Sequence, residues 1–185
     1  MFRGLLFEAE SEKFRSAGLR VGTNQELAEK SLLEETLRPF PVDLRNEALQ
    51  MARLYALMFC FENSVRDLIK ERLTAKYGID WWDKGVPGKV KTFAQDRQQA
   101  AKDQTWLEGQ KSELLGFVEF GHLADIITNS WDEFDDLIPT QHWLKQRMDE
   151  LEKTRNFIAH HRILLPSEFA RIEMYVADWN RVVGL

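Results

Sequence analysis

One cysteine, five prolines and ten glycines in 185 residues leave little that could staple or interrupt this chain, and each scarcity narrows what it can be. A lone Cys60 excludes an intrachain disulfide, so a packed core must hold the fold and a reducing, cytoplasmic setting is expected. Cys60 lies in "LMFCFE" and reads as a small buried hydrophobe. No apolar run approaches the roughly 20 residues that cross a bilayer, so no membrane partner is expected. The start, "MFRGLLFEAESEKF", is broken by acids and does not read as a secretory leader. Basic residues do not dominate either: 25 Lys and Arg against 30 Asp and Glu give a formal charge of −5. A broad nucleic-acid binder carries a basic excess, so any grip on phosphate here must be local. Period-two alternation, internal repeats and low-complexity tracts are nearly absent, which argues against strands and solenoids.

What is present is helical periodicity. Residues 1–40 read as an N-terminal arm with one short amphipathic helix, "QELAEKSLLEETL", stopped before Pro39 and Pro41. Residues 41–185 read as one helical domain. Its spine is a long helix over about 43–77, with Leu54, Leu57, Met58, Phe61, Val65, Leu68 and Ile69 on one side and Gly78 as the stop. A turn with Trp81 and Trp82 leads into a modest helix to about 102; the two rings either cap the core or stack bases. "LLGFVEFGHLADIITNSWDEF" predicts one apolar helix bending near Gly121. Pro139 and Pro166 then bracket an amphipathic helix over 141–160, and a last helix follows. The acids of "WDEFDD" lack the glycine turn and spacing of a calcium loop and read as a solvated face. The fold class is all-α, a helical bundle.

The informative stretch is "RNFIAHHR", residues 155–162, which holds two of the four histidines. At 100° per residue Leu144, Met148, Leu151 and Ile158 form the core stripe of this helix, and Arg155 falls within it. A guanidinium on a core stripe needs a partner, because an unpaired buried charge costs several kcal/mol. Asn156 and His160, four apart, share a face about 100° away. His161 points elsewhere if the helix continues through it. An imidazole moves protons near neutral pH, and a guanidinium fork matches non-bridging phosphate oxygens. Lys153, Arg162 and Arg147, the candidate RNA contacts if the phosphate belongs to RNA, are placed to supply the local positive field that the overall charge denies. These parts need neither a metal nor a cofactor. They also admit a structural reading, in which Arg155 pairs with Glu62 and the histidines answer the helix macrodipole. Glu62 has a second candidate partner in Arg66, four residues on.

"RNFIAH" fits RNxxxH, the signature of the HEPN (higher eukaryote and prokaryote nucleotide-binding) domains. With "FENSVRDLIKERLTAKYGIDWW", "FGHLADIITNSWDEF" and "RNFIAHHRILLPSEFARI" in order, the chain over about 50–183 resembles the SWT-type branch of that family. The resemblance implies a HEPN-like helical bundle that pairs about a two-fold axis, with two copies of Arg155, Asn156 and His160 lining one cleft. It implies a metal-independent endoribonuclease that leaves 2′,3′-cyclic phosphate ends. In that scheme His160 moves the proton, Arg155 stabilises the phosphorane and Asn156 orients the site. His161 and Glu62 are accessory candidates, with His161 competing for the proton-transfer role. The expected partners are RNA, a second copy, and an antitoxin or effector protein if the chain belongs to a toxin or defence system. The alternative is a catalytically silent module that binds RNA, a nucleotide or a partner protein.

Overall fold

In a computed structural model the structure describes residues 35–102, 113–160 and 162–184. All but the last three residues of the expected arm helix, 35–37, which are helical, and His161 lie outside those residues. The chain divides into two compact units, Met1–Leu49 and Gln50–Leu185. Six helices have both ends described: α1 (Val42–Tyr77), α2 (Trp81–Gly85), α3 (Gly88–Lys102), α4 (Phe120–Asn129), α5 (Gln141–Ala159) and α6 (Pro166–Val183). Three-residue or four-residue 3₁₀ turns, Gly78–Asp80, Leu114–Phe117 and Trp131–Glu133, make connections, and no strand occurs among the described residues. The all-α expectation holds.

From Gln50 onward α1 is the spine of the second unit. Leu54, Met58, Phe61, Val65, Ile69 and Leu73 are buried at spacings of three and four, so they form one apolar stripe. Leu57 and Leu68 flank that stripe, half-buried against the core. Cys60 departs from its expectation: it is exposed, because one residue before Phe61 turns it about 100° off the stripe. At the end of α1, Gly78 takes φ +61, a conformation glycine adopts without penalty. Trp81 and Trp82 meet edge to face at 5.6 Å and pack against the core. That placement favours capping the bundle over stacking bases.

The apolar segment after residue 113 differs from the single bent helix that the sequence suggests. A 3₁₀ turn ends at Phe117, Val118 and Glu119 are extended, and α4 begins afresh at Phe120. The cause lies in α1. Arg66, paired to Glu62 at 2.6 Å, also donates to the carbonyls of Leu115 (3.3 Å) and Val118 (3.4 Å). Those are acceptors that a continuous helix would use itself. Glu119 N–H donates instead to His122 Nδ1 at 3.2 Å, so His122 is a satisfied capping residue.

Phe61 ties three helices together, stacking on Phe120 of α4 at 5.7 Å and meeting Trp179 of α6 edge-on at 5.4 Å. The Trp179 indole N–H is satisfied by Ser64 Oγ at 3.0 Å. Two of the acids of "WDEFDD" meet α1, where Glu133 pairs with Lys76 and Asp136 with Arg72, while Asp132 and Asp135 are exposed. At the start of α5 the Thr140 hydroxyl accepts from Trp143 N–H at 3.0 Å, an N-cap that fixes where the motif helix begins. At the start of α6, Pro166 occupies the first turn and Glu168 accepts from Leu165 N–H at 2.7 Å. Gly184, φ +78, ends it.

Candidate functional site

The motif occupies the end of α5. Leu144, Met148 and Leu151 are buried, Ile158 is half-buried, and Arg155 between them is exposed. The stripe therefore runs past the point where the described residues cover it. Arg155 stands on the apolar side of its helix, yet it faces outward. Its Nη1 donates to Asn156 Oδ1 at 3.3 Å, and among the described residues it forms no ion pair. Asn156 is also exposed, with its carbonyl oxygen turned toward that guanidinium.

Glu62 does not hold Arg155. It belongs to the half-buried pair with Arg66, whose side chains retain 16% and 17% of their exposure. The pair braces α1 against the segment before α4.

His160 is exposed and stands at the C-terminal boundary of α5, with φ −92 and ψ 17. The helix ends at Ala159, one residue sooner than the sequence reading has it. His160's Cβ is set by its own φ and the helical residues before it, so it still lies about one turn past Asn156. The chain then leaves the helical path immediately before His161. With α5 ended at Ala159, a continuing helix no longer separates the two histidines as candidates for proton transfer.

The three expected RNA-contacting cations separate. Lys153 is exposed and, among the described residues, in no ion pair. Arg162 is exposed, with its guanidinium 5.5 Å from the Phe157 ring centroid and its N–H on Phe157 O at 3.4 Å, a C-terminal capping bond that holds it beside the motif. Arg147 turns inward. It pairs with Asp178 at 3.2 Å and lies 4.2 Å from the Trp143 centroid and 5.2 Å from the Tyr175 centroid. Its side chain keeps 20% exposure. The cause is α6, which supplies both Asp178 and Tyr175 and folds the cation into the α5–α6 contact.

Sequence reasoning did not find the network one turn before the motif. Tyr175 OH donates to Glu150 Oε2 at 2.7 Å and accepts from Arg171 Nε at 2.8 Å, while Arg171 Nη2 reaches Glu150 Oε2 at 2.8 Å. The tyrosine hydrogen bond, with the Arg171 charge behind it, holds the Glu150 carboxyl below its ordinary 4.5. Tyr175 and then Glu150 push Arg171 up. Arg171 and Tyr175 are four apart and readable as a pair; their meeting with Glu150 is a tertiary fact.

The exposed groups at this end of α5 are thus a guanidinium, an amide and an imidazole, flanked by Lys153 and Arg162. Groups of these kinds can transfer protons and stabilise an anion. Comparison with protein-family models finds a match over residues 56–184 to the one described as Swt1-like HEPN. Neither the curated proteins nor the solved structures contain a match.

Proposed function

The chain belongs to the Swt1-like HEPN family, and from that membership we propose a metal-independent endoribonuclease acting on single-stranded RNA. HEPN domains are commonly ribonucleases. The observation that carries the reading for this chain is Arg155: a cation on an apolar helix face, exposed, and without an ion-pair partner among the described residues. A second copy approaching that face gives the stripe its missing cover and brings two motifs to one cleft.

In that cleft a substrate 2′-hydroxyl attacks the adjacent phosphorus. The new bond is 2′-O to phosphorus, and the bond that breaks is phosphorus to the 5′-oxygen. One imidazole takes the 2′ proton and one protonates the departing 5′-oxygen, which leaves a 2′,3′-cyclic phosphate and a 5′-hydroxyl. His160 fills this role by its place in the motif, and Arg155 stabilises the charge on the pentacoordinate phosphorus. Asn156 holds the guanidinium through the 3.3 Å contact. A role in a toxin or defence system, with an antitoxin or effector restraining the nuclease, is consistent with a chemistry that is harmful when unregulated.

The experiment is cleavage of single-stranded RNA in excess EDTA, comparing wild type with His160→Ala and His161→Ala of confirmed fold. The expected result is cyclic-phosphate ends from wild type and from His161→Ala, with none from His160→Ala. Activity lost in His161→Ala alone moves the proton transfer to that residue. No cutting by wild type, with RNA still bound, replaces this reading with a silent binding module. The formal charge of −5 and the inward folding of Arg147 favour that second reading.

A further inference from the structure

Two contacts at the end of α5 join residues on either side of His160. Arg162 N–H donates to Phe157 O at 3.4 Å, and the Arg162 guanidinium stands 5.5 Å from the Phe157 ring centroid. With His160 as the C-cap, Phe157 is the third helical residue from the end and Arg162 the second beyond the cap. A bond between those two positions is the six-to-one closure that ends many helices, and a side-chain contact between the same residues commonly accompanies it. Here that contact is a cation on an aromatic ring, inside the roughly 6 Å over which such pairs attract. The two contacts form a clasp around His160.

Both ends of the clasp are anchored, and what lies between them is not. Phe157 is half-buried and packs against the core, and Leu164, two residues after Arg162, is buried. Between those anchors Ala159, His160 and Ile163 are exposed. His160 therefore has no burial of its own to fix it. Nor does the helix behind it fix it firmly, because beyond Leu151 no side chain of α5 is fully buried, and helical turns with little packing are marginal in water. A closing contact at such an end carries more weight than it does on a helix packed along its whole length.

The clasp leaves Arg162 free to act. Among the described residues Arg162 forms no ion pair. Attraction to the ring uses none of the guanidinium N–H donors, so they remain available to a phosphate.

Resting on the ribonuclease reading, we infer that Phe157 is a positioning residue for the reaction: its carbonyl and its ring hold Arg162, and the closed turn sets where His160 presents its imidazole. Phe157 itself touches neither phosphate nor proton. The reaction is sensitive to such placement, because a displacement of about 1 Å in a reacting group can cost about 100-fold. A cation–ring contact at an exposed site shifts the closure equilibrium by about two- to fivefold.

The test has a spectroscopic and a kinetic arm, both on the full chain. In the first, NMR reads the backbone order parameter at His160 and the ring-current shift of the Arg162 side-chain protons. Phe157→Leu keeps the carbonyl and an apolar anchor but removes the ring, so the ring-current shift is lost and order at His160 falls. Arg162→Gln lowers the same order parameter with the ring intact, and Phe157→Tyr leaves both readings at wild-type values. In the second arm, Phe157→Leu lowers the cleavage rate at saturating RNA by about two- to fivefold with RNA affinity unchanged, and Phe157→Tyr recovers the rate. A wild-type Arg162 without a ring-current shift, or order at His160 that neither Phe157→Leu nor Arg162→Gln alters, overturns the inference and leaves the nuclease standing. So does a Phe157→Leu protein that cuts at the wild-type rate, or one that loses RNA affinity alone. The full spectroscopic response in a protein that cuts no RNA keeps the clasp on His160 and overturns the nuclease.

Discussion

Arg155 has no ion-pair partner among the described residues and no cover over its guanidinium, so its loss should cost catalysis and spare the fold. Arg155→Ala is expected to lower the cleavage rate about 100- to 1,000-fold, the effect of removing one preorganised transition-state donor. Chemical denaturation should place its stability within about 0.5 kcal/mol of wild type, as for other exposed substitutions. Arg155→Lys should recover only part of the rate, because a point charge lacks the planar fork. The position of Arg155 on the stripe was legible from spacing alone. Its exposure was not, because that depends on where the neighbouring helices stop. Arg147 shows the converse. Trp143, four residues earlier, was in view, but Asp178 lies 31 residues away and only the packing of α6 brings it in. Residue type and period tell which groups share a face; they do not tell what covers it.

Two glycines separate space from conformation within the helices. At Gly85 an added Cβ would meet Leu73 Cδ1 at 2.9 Å, in a buried place where Asn129 and Ser130 also bond the Gly85 carbonyl. At Gly121 the nearest atom is Glu152 Oε2 at 3.0 Å, the end of a side chain that can swing aside. Gly85→Ala should therefore destabilise by about 1–3 kcal/mol through overpacking, and Gly121→Ala should be neutral or stabilising through helix propensity; paired thermal melts read both. The α5–α6 clamp gives a pH signature. Glu150 is held below 4.5 by Tyr175 and Arg171, so its contribution is present above that value and is lost as pH falls through the lowered one. The melting difference between wild type and Glu150→Gln should persist at neutral pH and vanish in acid. Element types were largely readable, since the apolar periods of α1, α5 and α6 are long. The split before α4 was not, because one arginine on another helix takes the carbonyls and no local signal marks it.

The whole molecule is acidic, so its salt response measures how local the phosphate grip is. Lys153, Arg155 and Arg162 are the cations exposed around the motif. On single strands each neutralised phosphate contributes about 0.7 to the slope of log affinity against log salt. Three contacts give a slope of about −2 and the six of a paired cleft about −4. RNA binding by His160→Ala across a salt series distinguishes the two, and light scattering on the same samples reports the oligomeric state. The family was legible because the motif sits within ordered blocks that extend over most of the helical chain. The pairing was not, since a two-fold contact leaves no period in one sequence. The end of α5 has a thermodynamic consequence of its own. Its last fully buried residue is Leu151, and beyond that the apolar side chains Phe157 and Ile158 are only half-covered. Helical turns with little packing are marginal in water, so residues 152–159 should open at a lower free energy than the buried turns before them. Ordering those turns is then one step of ligation, and the affinity of whatever occupies the motif reports rigidity gained as well as contacts made.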